Sequence, residues 1–449
     1  MRRRDFFKSA AALAAARAER FQLATFRSDI TPSIGGPLFN NVTARKIVDP
    51  LEAHGVVLLG GGQPIVVAAL DWCEIRNDAY NLWRDVMAEA ARTSRERVLL
   101  TCVHQHDAPY VDTEAQRLFE AAKAPGRICD PDFNEHCARK VAAALQASLN
   151  SAHRVTHIGT GQAKVEGVAS NRRYVKPDGG VSFGRTSATK DPALRALPEG
   201  TIDPWLKTIS FWEEDRPVAA LSCYSTHPMS YYGQGDVSAD FVGMARARRQ
   251  KDTPGTAQIY LTGCSGDTIA GKYNDGSAAN RPILAGRMYQ GMVGAWKATK
   301  RRPLQHVRFR SVPMHLAPRA TPGFSPAEMR KTLADESKPY LARAEAALGL
   351  SWRKRLDAGE AVDVPAVDFG GAHLVLLPAE SFVQYQLWAQ ELRPDSFVMT
   401  AGFSESAPGY IPTAQAAAEG YDDHYSWIAF PECENTMRNA LRDALRRYD

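Results

Sequence analysis

The sequence predicts an α/β protein in which a layered, mixed β-sheet is flanked by helices. Short apolar runs alternate with segments of helical spacing, and each run leads into a polar loop that precedes the next helix. Several runs come in pairs separated by a short turn, which indicates antiparallel hairpins within the sheet. Folds of this class place their chemistry in loops at the ends of strands.

The first part of the chain predicts a hairpin, a helix, a strand and a second helix. The helix is predicted because Tyr80, Trp83 and Met87 share one face at helical spacing. The strand runs directly into His104. In chain order the predicted ranges are a hairpin of 55–59 and 64–70 around three glycines, a helix of 77–91, a buried strand of 97–103 and a helix of 133–149.

The second part of the chain repeats this alternation. A predicted hairpin leads into His227, and a later strand leads into Glu380. No internal repeat of fixed period is visible in the sequence. The predicted ranges are a hairpin of 207–212 and 217–224, a strand of 257–261, a helix of 281–297, a long helix of 326–348, and strands of 373–377 and 397–401.

The N-terminal residues 1–18 have the pattern of a twin-arginine export signal. Consecutive arginines at positions 2–4 precede two phenylalanines and Lys8, and a short Ala-rich run follows. That run is too short to span a bilayer, and the alternative is an ordinary basic start of a helix. We expect passage through the twin-arginine translocase, cleavage near Ala18, and a periplasmic or secreted mature protein.

The composition is that of a globular protein without a transmembrane segment. The expected mature chain, 19–449, is long enough for two average domains or one large α/β domain, and we expect the single domain. Residues 1–18 carry five basic residues and one acidic residue, so their removal lowers the formal net charge from +5 to +1. A nearly neutral protein lacks the excess of positive charge that is typical of proteins that bind nucleic acid. The seven cysteines form no Cys-x-x-Cys pair, which argues against a thiolate zinc site; Cys129 and Cys137 are the nearest pair for a disulfide.

Three predicted strands end in side chains that can bind a metal ion. His104 and His106 lie two residues apart after one strand, so both imidazoles can face one side. His227 follows a second strand and Glu380 a third. Neutral imidazole and carboxylate oxygen are ligands that zinc accepts. A single such residue is more often a cap or a solvated group, but three matching strand ends favour a zinc site.

At these residues the sequence resembles the neutral ceramidases, in particular diverged bacterial proteins similar to their N-terminal domain. Residues 102–109 are similar to the family's Ser-His-Thr-His-Ser-Ala-Pro, and 377–380 to its Leu-Pro-Gly-Glu. Further similar segments, in chain order, are Ser-Asp-Ile-Thr-Pro at 28–32, Asn-Arg-Arg at 171–173, the stretch at His227, Gly-Tyr-Ile-Pro-Thr at 409–413 and Glu-Gly-Tyr-Asp at 419–422.

The resemblance implies a neutral-ceramidase-like fold and assigns roles to eight residues. It implies that zinc is held by His104, His227, Glu380 and Tyr410. The implied catalytic residues are His106, Arg172, Asp267 and Tyr421. The implied reaction is hydrolysis of an amide, as in an N-acyl, lipid-like substrate, by zinc-activated water.

Two departures from the family pattern narrow this expectation. The family's Asn-x-Gly-Asp-x-Ser-Pro loop carries a serine implicated in catalysis, and Ile269 stands at that position here. Isoleucine forms no side-chain hydrogen bond, and Thr268 or Ser265 are the nearby hydroxyls that could compensate. The chain also lacks the family's C-terminal immunoglobulin-like domain. An esterase, a carbohydrate-directed hydrolase on the same zinc scaffold, and a non-catalytic exported binding protein therefore stay open as alternatives.

Overall fold

The computed structural model describes residues 21–448, and three larger sheets follow one another along this part of the chain. The predicted export signal at 1–18 lies outside the described residues. The first sheet contains β1 (Gln22–Asp29), β2 (Glu52–Leu59), β3 (Ile65–Leu70), β4 (Val98–Cys102) and β5 (His153–Arg154). The second contains β6 (His157–Lys164), β7 (Trp205–Glu213), β8 (Arg216–Tyr224), β9 (Ala257–Thr262) and β10 (Lys300–Pro303). The third contains β11 (Arg308–Met314), β12 (Val362–Asp368), β13 (Ala372–Leu376) and β14 (Phe397–Ala401).

Helices cover the sheets and connect their strands. In chain order they are α1 (Asn77–Ala91), α2 (Thr113–Ala121), α3 (Pro131–Ser148), α4 (Pro192–Ala196), α5 (Asp240–Asp252), α6 (Asn280–Lys297), α7 (Pro326–Ala334), α8 (Tyr340–Asp357), α9 (Val383–Leu392), α10 (Ala414–Ala418) and α11 (Cys433–Leu445), with 3-10 turns at Phe39–Asn41, Arg95–Arg97 and Leu149–Ser151. The α/β class predicted from the sequence is confirmed.

Two-residue strands form short ribbons between the larger sheets. They are Lys46–Ile47 with Asp236–Val237, Glu74–Ile75 with Tyr110–Val111, Ser170–Asn171 with Thr268–Ile269, Tyr174–Val175 with Val181–Ser182, and Glu380–Ser381 with Tyr410–Ile411. Several of the residues that carry the candidate site lie in these ribbons.

Each larger sheet contains the same three-stranded unit. An antiparallel hairpin is followed by a helix and then by a strand that runs parallel to the second strand of the hairpin. The units are β2–β3–α1–β4, β7–β8–α5–β9 and β12–β13–α9–β14. The units differ in length and in residues, and for that reason the sequence shows no fixed period although the topology repeats.

Burial explains why the central strands are recognisable as apolar runs. Every residue of β3 and of β4 is buried, because helices or neighbouring sheets cover both faces. The helices begin at residues that satisfy their first backbone N–H groups. Ser325 and Glu328 form a capping box at α7, and Asp130 caps α3, which starts with a proline.

The ends of the three units meet through a cycle of three hydrogen bonds to backbone carbonyl groups. Cys102 N donates to Phe403 O, which joins the first unit to the third. Gly402 N donates to Thr262 O, which joins the third unit to the second. Thr262 Oγ1 donates to Val103 O at 2.7 Å and closes the cycle. The loops that follow the strands of all three sheets are therefore brought to one place.

One predicted helix differs from expectation. The helix predicted over 326–348 is two helices, because α7 ends before Asp335 and Pro339 precedes α8. Proline lacks a backbone N–H and disfavours a helical conformation in the residue before it. Cys129 and Cys137 do not form a disulfide, and all seven cysteines are free and buried. Within 21–448, no helix combines the length and apolar character needed to cross a membrane.

Candidate metal centre and adjoining cleft

The three strand-end residues predicted to bind a metal ion converge. Ligand atoms of His104, His227 and Glu380 all lie within 4.8 Å of one another, and all three side chains are buried. His104 follows β4 of the first unit, His227 follows β8 of the second, and Glu380 follows β13 of the third. Each sheet therefore contributes one ligand to the same point.

Hydrogen bonds from the ring Nδ1 atoms orient both histidines. Nδ1 of His104 lies 3.0 Å from Cys73 O, and Nδ1 of His227 lies 2.6 Å from Ser265 O. A carbonyl oxygen only accepts, so each Nδ1 carries the proton and each Nε2 presents a lone pair. Nε2 of His227 is 2.9 Å and Nε2 of His104 is 3.6 Å from Glu380 Oε2.

This donor set fits a divalent cation and zinc in particular. Nε2 of His104 is buried and makes no hydrogen bond within the described residues. Two imidazole lone pairs and a carboxylate oxygen directed at one another repel unless a cation lies between them. Zinc binds this combination of nitrogen and oxygen ligands, and backbone carbonyls that hold the opposite ring nitrogen are the usual outer contacts of zinc-bound histidines.

The charge states required of metal ligands are favoured by the surroundings. Burial lowers the pKa of His227 to about 4, so its imidazole is neutral at pH 7. Burial alone would raise the pKa of Glu380, but contacts with His104 and His227 outweigh it and hold that pKa well below its usual range. His227 and Glu380 therefore offer unprotonated ligand atoms at neutral pH.

His104 is held in an unusual backbone conformation. Its φ of 73° lies in the left-handed region, as does the φ of 56° at Phe403. The two residues follow the parallel third strands of their units, and their rings stack with centroids 4.1 Å apart. Backbone strain of this kind is retained where the surrounding structure fixes it, here by contact between the first and third units.

Tyr410 lies opposite Glu380 in a parallel two-residue ribbon. Its hydroxyl accepts a hydrogen bond from Nη2 of Arg172 at 3.3 Å, and burial raises its pKa well above the usual range. The same guanidinium donates from Nε to Gly266 O at 3.1 Å. The structure thus brings Tyr410 and Arg172, both implied by the family resemblance, to the edge of the metal site.

His106 contacts the site through the side of its ring opposite the backbone. Its Nδ1 lies 3.1 Å from His104 O and must donate to that carbonyl, so Nε2 carries a lone pair. Burial, together with the neighbouring His104 and His227, lowers the pKa of His106 well below its usual range. The ring is therefore neutral and presents an acceptor at Nε2.

Asp267 and Tyr421 lie beside the site in supporting positions. Asp267 accepts from Val383 N at 2.7 Å and from Asn171 Nδ2 at 2.8 Å, so both carboxylate oxygens hold neighbouring loops. Burial raises its pKa to about 6. The ring of Tyr421 packs edge-on against Phe382 and lies 6.4 Å from the ring of Tyr410. The residues that line the cleft leading to the metal site include neither Asp267 nor Tyr421.

Sequence reasoning missed Glu74, which also lies at the site. Its Oε1 is 3.7 Å from Nδ1 of His104, and its Oε2 accepts from Arg76 Nε at 2.6 Å and from the Tyr425 hydroxyl at 3.2 Å. The side chain is 1% exposed. Glu74 follows β3 by four residues, just as Glu380 follows β13, but this shared spacing becomes a signal only when the two hairpins are recognised as equivalent in the fold.

A cleft with a volume of about 250 Å³ leads to the metal site. One wall consists of Leu341, Ala344, Glu345 and Leu348, which lie on one face of α8. Glu345 is the charged residue among them, and it pairs with His424 at 2.9 Å. The remaining lining combines aromatic and aliphatic residues with polar and charged ones, and most of the surface that the cleft exposes is apolar. The lining residues are Phe39, Asn40, Glu74, His104, His106, Tyr110, Ile128, Tyr340, Leu341, Ala344, Glu345, Leu348, Glu380, Tyr410, Asp423, His424 and Tyr425.

Ile269 occupies a buried position next to a metal ligand. It forms a parallel bridge with His227 and is fully buried. The hydroxyl of Thr268 lies 3.1 Å from the Ser225 hydroxyl, and the buried hydroxyl of Ser265 makes no hydrogen bond within the described residues. Neither Thr268 nor Ser265 lines the cleft.

Comparisons with known proteins identify the fold. No protein-family model matches the sequence, and no curated protein matches it. Among solved structures, the neutral ceramidase of Pseudomonas aeruginosa superposes with a TM-score of 0.68 at 16% identity, over 95% of this chain and 74% of that chain. A ceramidase complexed with C2 gives a TM-score of 0.67 at 14% identity, with the same coverage of both chains.

Proposed function

Because the chain has the neutral-ceramidase fold and joins a His-His-Glu site to an apolar cleft, we propose that it is a zinc-dependent hydrolase. We propose further that it cleaves the amide bond of an N-acyl, lipid-like substrate. The observation that carries the proposal is the convergence of His104, His227 and Glu380, with unprotonated ligand atoms, at the end of the cleft. These three residues and Tyr410 would hold the ion.

A zinc ion bound there would polarise the scissile carbonyl and lower the pKa of a water molecule. The residues of the chain supply the rest of the chemistry. Nε2 of His106 can take a proton from the attacking water and return it to the leaving amine. Arg172 fixes the Tyr410 hydroxyl and brings a positive charge close to the site, where it favours negative charge on the reacting oxygen. The apolar walls exclude water from the substrate chain.

The alternatives open from the sequence make different demands on the cleft. Esters present the same carbonyl carbon and belong in the same assay. A carbohydrate substrate calls for a polar cavity with aromatic and acidic walls, and such a cavity, of about 420 Å³, lies around Trp388 and Asp267. Its lining contains none of the three metal-binding residues. A purely structural metal calls for a closed site, whereas His104 and Glu380 line an open cleft.

The test is zinc-dependent turnover. Purified protein is depleted of metal, reloaded with zinc and assayed against N-acyl amides, esters and glycosides that share one chain length, with His104→Ala as the metal-site variant. We expect amide cleavage that requires zinc and is lost in the variant. Glycoside cleavage alone, or amide cleavage that persists in His104→Ala, would contradict the proposal.

A further inference from the structure

The three units place three residue pairs in corresponding positions around the site. In each unit, a residue three or four positions after the second hairpin strand pairs in parallel register with a residue beyond the third strand. The pairs are Glu74 with Tyr110, His227 with Ile269, and Glu380 with Tyr410. The first unit therefore carries a Glu–Tyr pair that corresponds to the Glu380–Tyr410 pair of the third.

Both Glu–Tyr pairs line the same cleft. Glu74 and Tyr110 are buried at 1% and 5% exposure, so the cleft is the surface that they present. Their surroundings separate them from a metal-binding role. Nε of Arg76 donates a hydrogen bond to Oε2 of Glu74, and the Arg76 guanidinium lies over the ring of Tyr110 at 5.1 Å from its centroid. Because Arg76 already holds Oε2, Glu74 offers one oxygen fewer to a metal ion than an unpaired carboxylate would.

The two oxygens of Glu74 differ in their partners. The hydrogen bonds that Glu74 makes within 21–448 reach Oε2, from Arg76 Nε and from Tyr425. Oε1 lies 3.7 Å from Nδ1 of His104, which is already donating to Cys73 O, and this distance is too long for a hydrogen bond. The hydroxyl of Tyr425 lies 2.5 Å from that of Tyr110 and completes the network. One oxygen of a buried carboxylate thus has no donor.

We propose that Glu74 Oε1, with Tyr110 beside it, is a recognition subsite for a hydrogen-bond donor carried by the amine portion of the substrate. The donor class is an O–H or an N–H group, a hydroxyl or a protonated amine. Arg76 and Tyr425 fix the carboxylate through its other oxygen, so the acceptor is held in place before substrate binds. The acyl chain then lies along the apolar wall of α8. The inference rests on the proposed hydrolase function and adds a selectivity to it.

A desolvated acceptor discriminates strongly, because an analogue without the donor leaves a buried carboxylate oxygen unpaired. A substrate with a carboxylate at the same place meets like charge and is rejected. The expected order of preference is therefore hydroxyl or ammonium first, methyl next, and carboxylate last.

The experiment uses four octanoyl amides that differ at the end of the amine portion. They are the amides of ethanolamine, ethylenediamine, propylamine and glycine, which present a hydroxyl, an ammonium, a methyl and a carboxylate. For the zinc-loaded full chain we expect kcat/KM at least about tenfold higher for the first two than for the propylamine amide. Calorimetric binding of the same amides should follow the same order. A methyl analogue that is bound and cleaved as well as the hydroxyl analogue overturns the proposal.

Variants separate recognition from an effect on the metal. Glu74→Gln should reduce the preference for ammonium over methyl to near unity and keep its zinc. Glu405→Gln is the matched control: Glu405 is a buried glutamate that pairs with Arg355 at 3.0 Å and does not line the cleft, so substrate order should be unchanged. If Glu74→Gln lost its zinc and lost activity equally on all four amides, Glu74 would act through His104. That result would overturn the subsite.

The two proposals fail in different ways. Binding in the expected order without hydrolysis of any amide would leave the subsite intact and reject the hydrolase function. Hydrolysis of the amides without the expected order of preference would support the hydrolase function and reject the subsite.

Discussion

Glu380 and Tyr410 are register partners in a parallel two-residue ribbon, so the carboxylate and the phenol lie side by side at the metal site. This ribbon joins a loop that follows β13 to one that follows β14. A hydrogen bond from Arg172 to the Tyr410 hydroxyl fixes the phenol. The effect of removing the Tyr410 hydroxyl can therefore be distinguished from the effect of removing the hydroxyl of a tyrosine in the core.

Tyr410→Phe should weaken zinc binding at least about tenfold while leaving the fold intact, because the change removes only the hydroxyl. The measurement is competition with a chromogenic chelator at about pH 7.5, well above the lowered pKa of His227. Tyr385→Phe is the control, since Tyr385 is a buried tyrosine whose hydroxyl donates to Pro412 O at 2.8 Å away from the cleft. It should cost about 1 kcal/mol of stability and no zinc affinity. Equal zinc affinities for both variants would exclude Tyr410 as a ligand.

The histidines should divide into two classes. Purified protein should hold about one zinc, and His104→Ala or His227→Ala should each remove most of it, because the remaining ligands no longer complete the site. His106→Ala should retain zinc and lose turnover, since His106 meets the site only at Nε2. His373→Ala, a buried histidine in the third sheet that contacts Ser396 and Arg393, controls for loss of a buried imidazole. Full zinc in a His104→Ala/His227→Ala double variant would refute the assignment.

Asp267 should make stability depend on pH. Burial raises its folded pKa to about 6, above the value of 3.8 expected in the unfolded chain. The folded state therefore binds more protons between these values, and this contribution makes the protein less stable as pH rises from about 4 to 6. Above pH 6 it is constant. The full effect is on the order of 3 kcal/mol.

Asp267→Asn removes that dependence, so the stability of the variant relative to wild type should improve by up to about 3 kcal/mol between pH 4 and pH 7. Urea unfolding at the two pH values measures it. Asp78→Asn is the control, because Asp78 lies on α1 and its side chain is 58% exposed. It measures the effect on stability of removing a carboxylate that is in contact with solvent. A relative stability of Asp267→Asn that falls with rising pH would contradict a raised pKa for this carboxyl in the folded state.

The sequence predicted the strand ends well because their physics is local. A buried strand such as β3 or β4 must be apolar throughout, and a histidine directly after it is conspicuous. His104, His227 and Glu380 were found in this way, and the structure brings them together. The division at Pro339 was also visible in principle, but the helical spacing on both sides of it concealed the break.

Glu74 and the three-unit arrangement were not predictable by the same means. Glu74 gains significance only through its parallel pairing with Tyr110, a relationship between residues far apart in the chain. The contact between Thr262 and Val103 that helps join the units is likewise a tertiary hydrogen bond. Local patterns carry no information about such pairings until the sheets are placed against one another.

The export signal stays a prediction, and it has a direct test. Arg3→Lys combined with Arg4→Lys keeps the charge but removes the arginine pair that the twin-arginine translocase reads. We expect the precursor to accumulate in the cytoplasm, whereas wild type should be cleaved near Ala18 and appear outside it. Fractionation with N-terminal sequencing measures both. Unimpaired export of the lysine variant, with the same cleavage, would show that another route is used.

Ile269 should limit activity on ceramide itself. Its side chain is fully buried and bridges in parallel to His227, at the position that corresponds to Tyr110 and Tyr410 in the other two units. The hydroxyl that the family pattern places at this position is replaced by an apolar group. Loss of one hydrogen bond to the reacting amide in the transition state typically lowers the rate on the order of a hundredfold. Wild type should thus cleave ceramide poorly while it cleaves other N-acyl amides.

Ile269→Ser should raise ceramide turnover, and Ile269→Ala is the matched control, because it opens a similar space without supplying a hydroxyl. Both changes should destabilise the protein by about 2 to 5 kcal/mol, so rates are compared well below the unfolding transition and with zinc content measured. A serine variant at least about tenfold faster on ceramide than the alanine variant would assign the difference to the hydroxyl. Efficient ceramide cleavage by wild type would show that the reaction does not need a serine at this position. The prediction that Ile269 limits activity on ceramide would then be wrong.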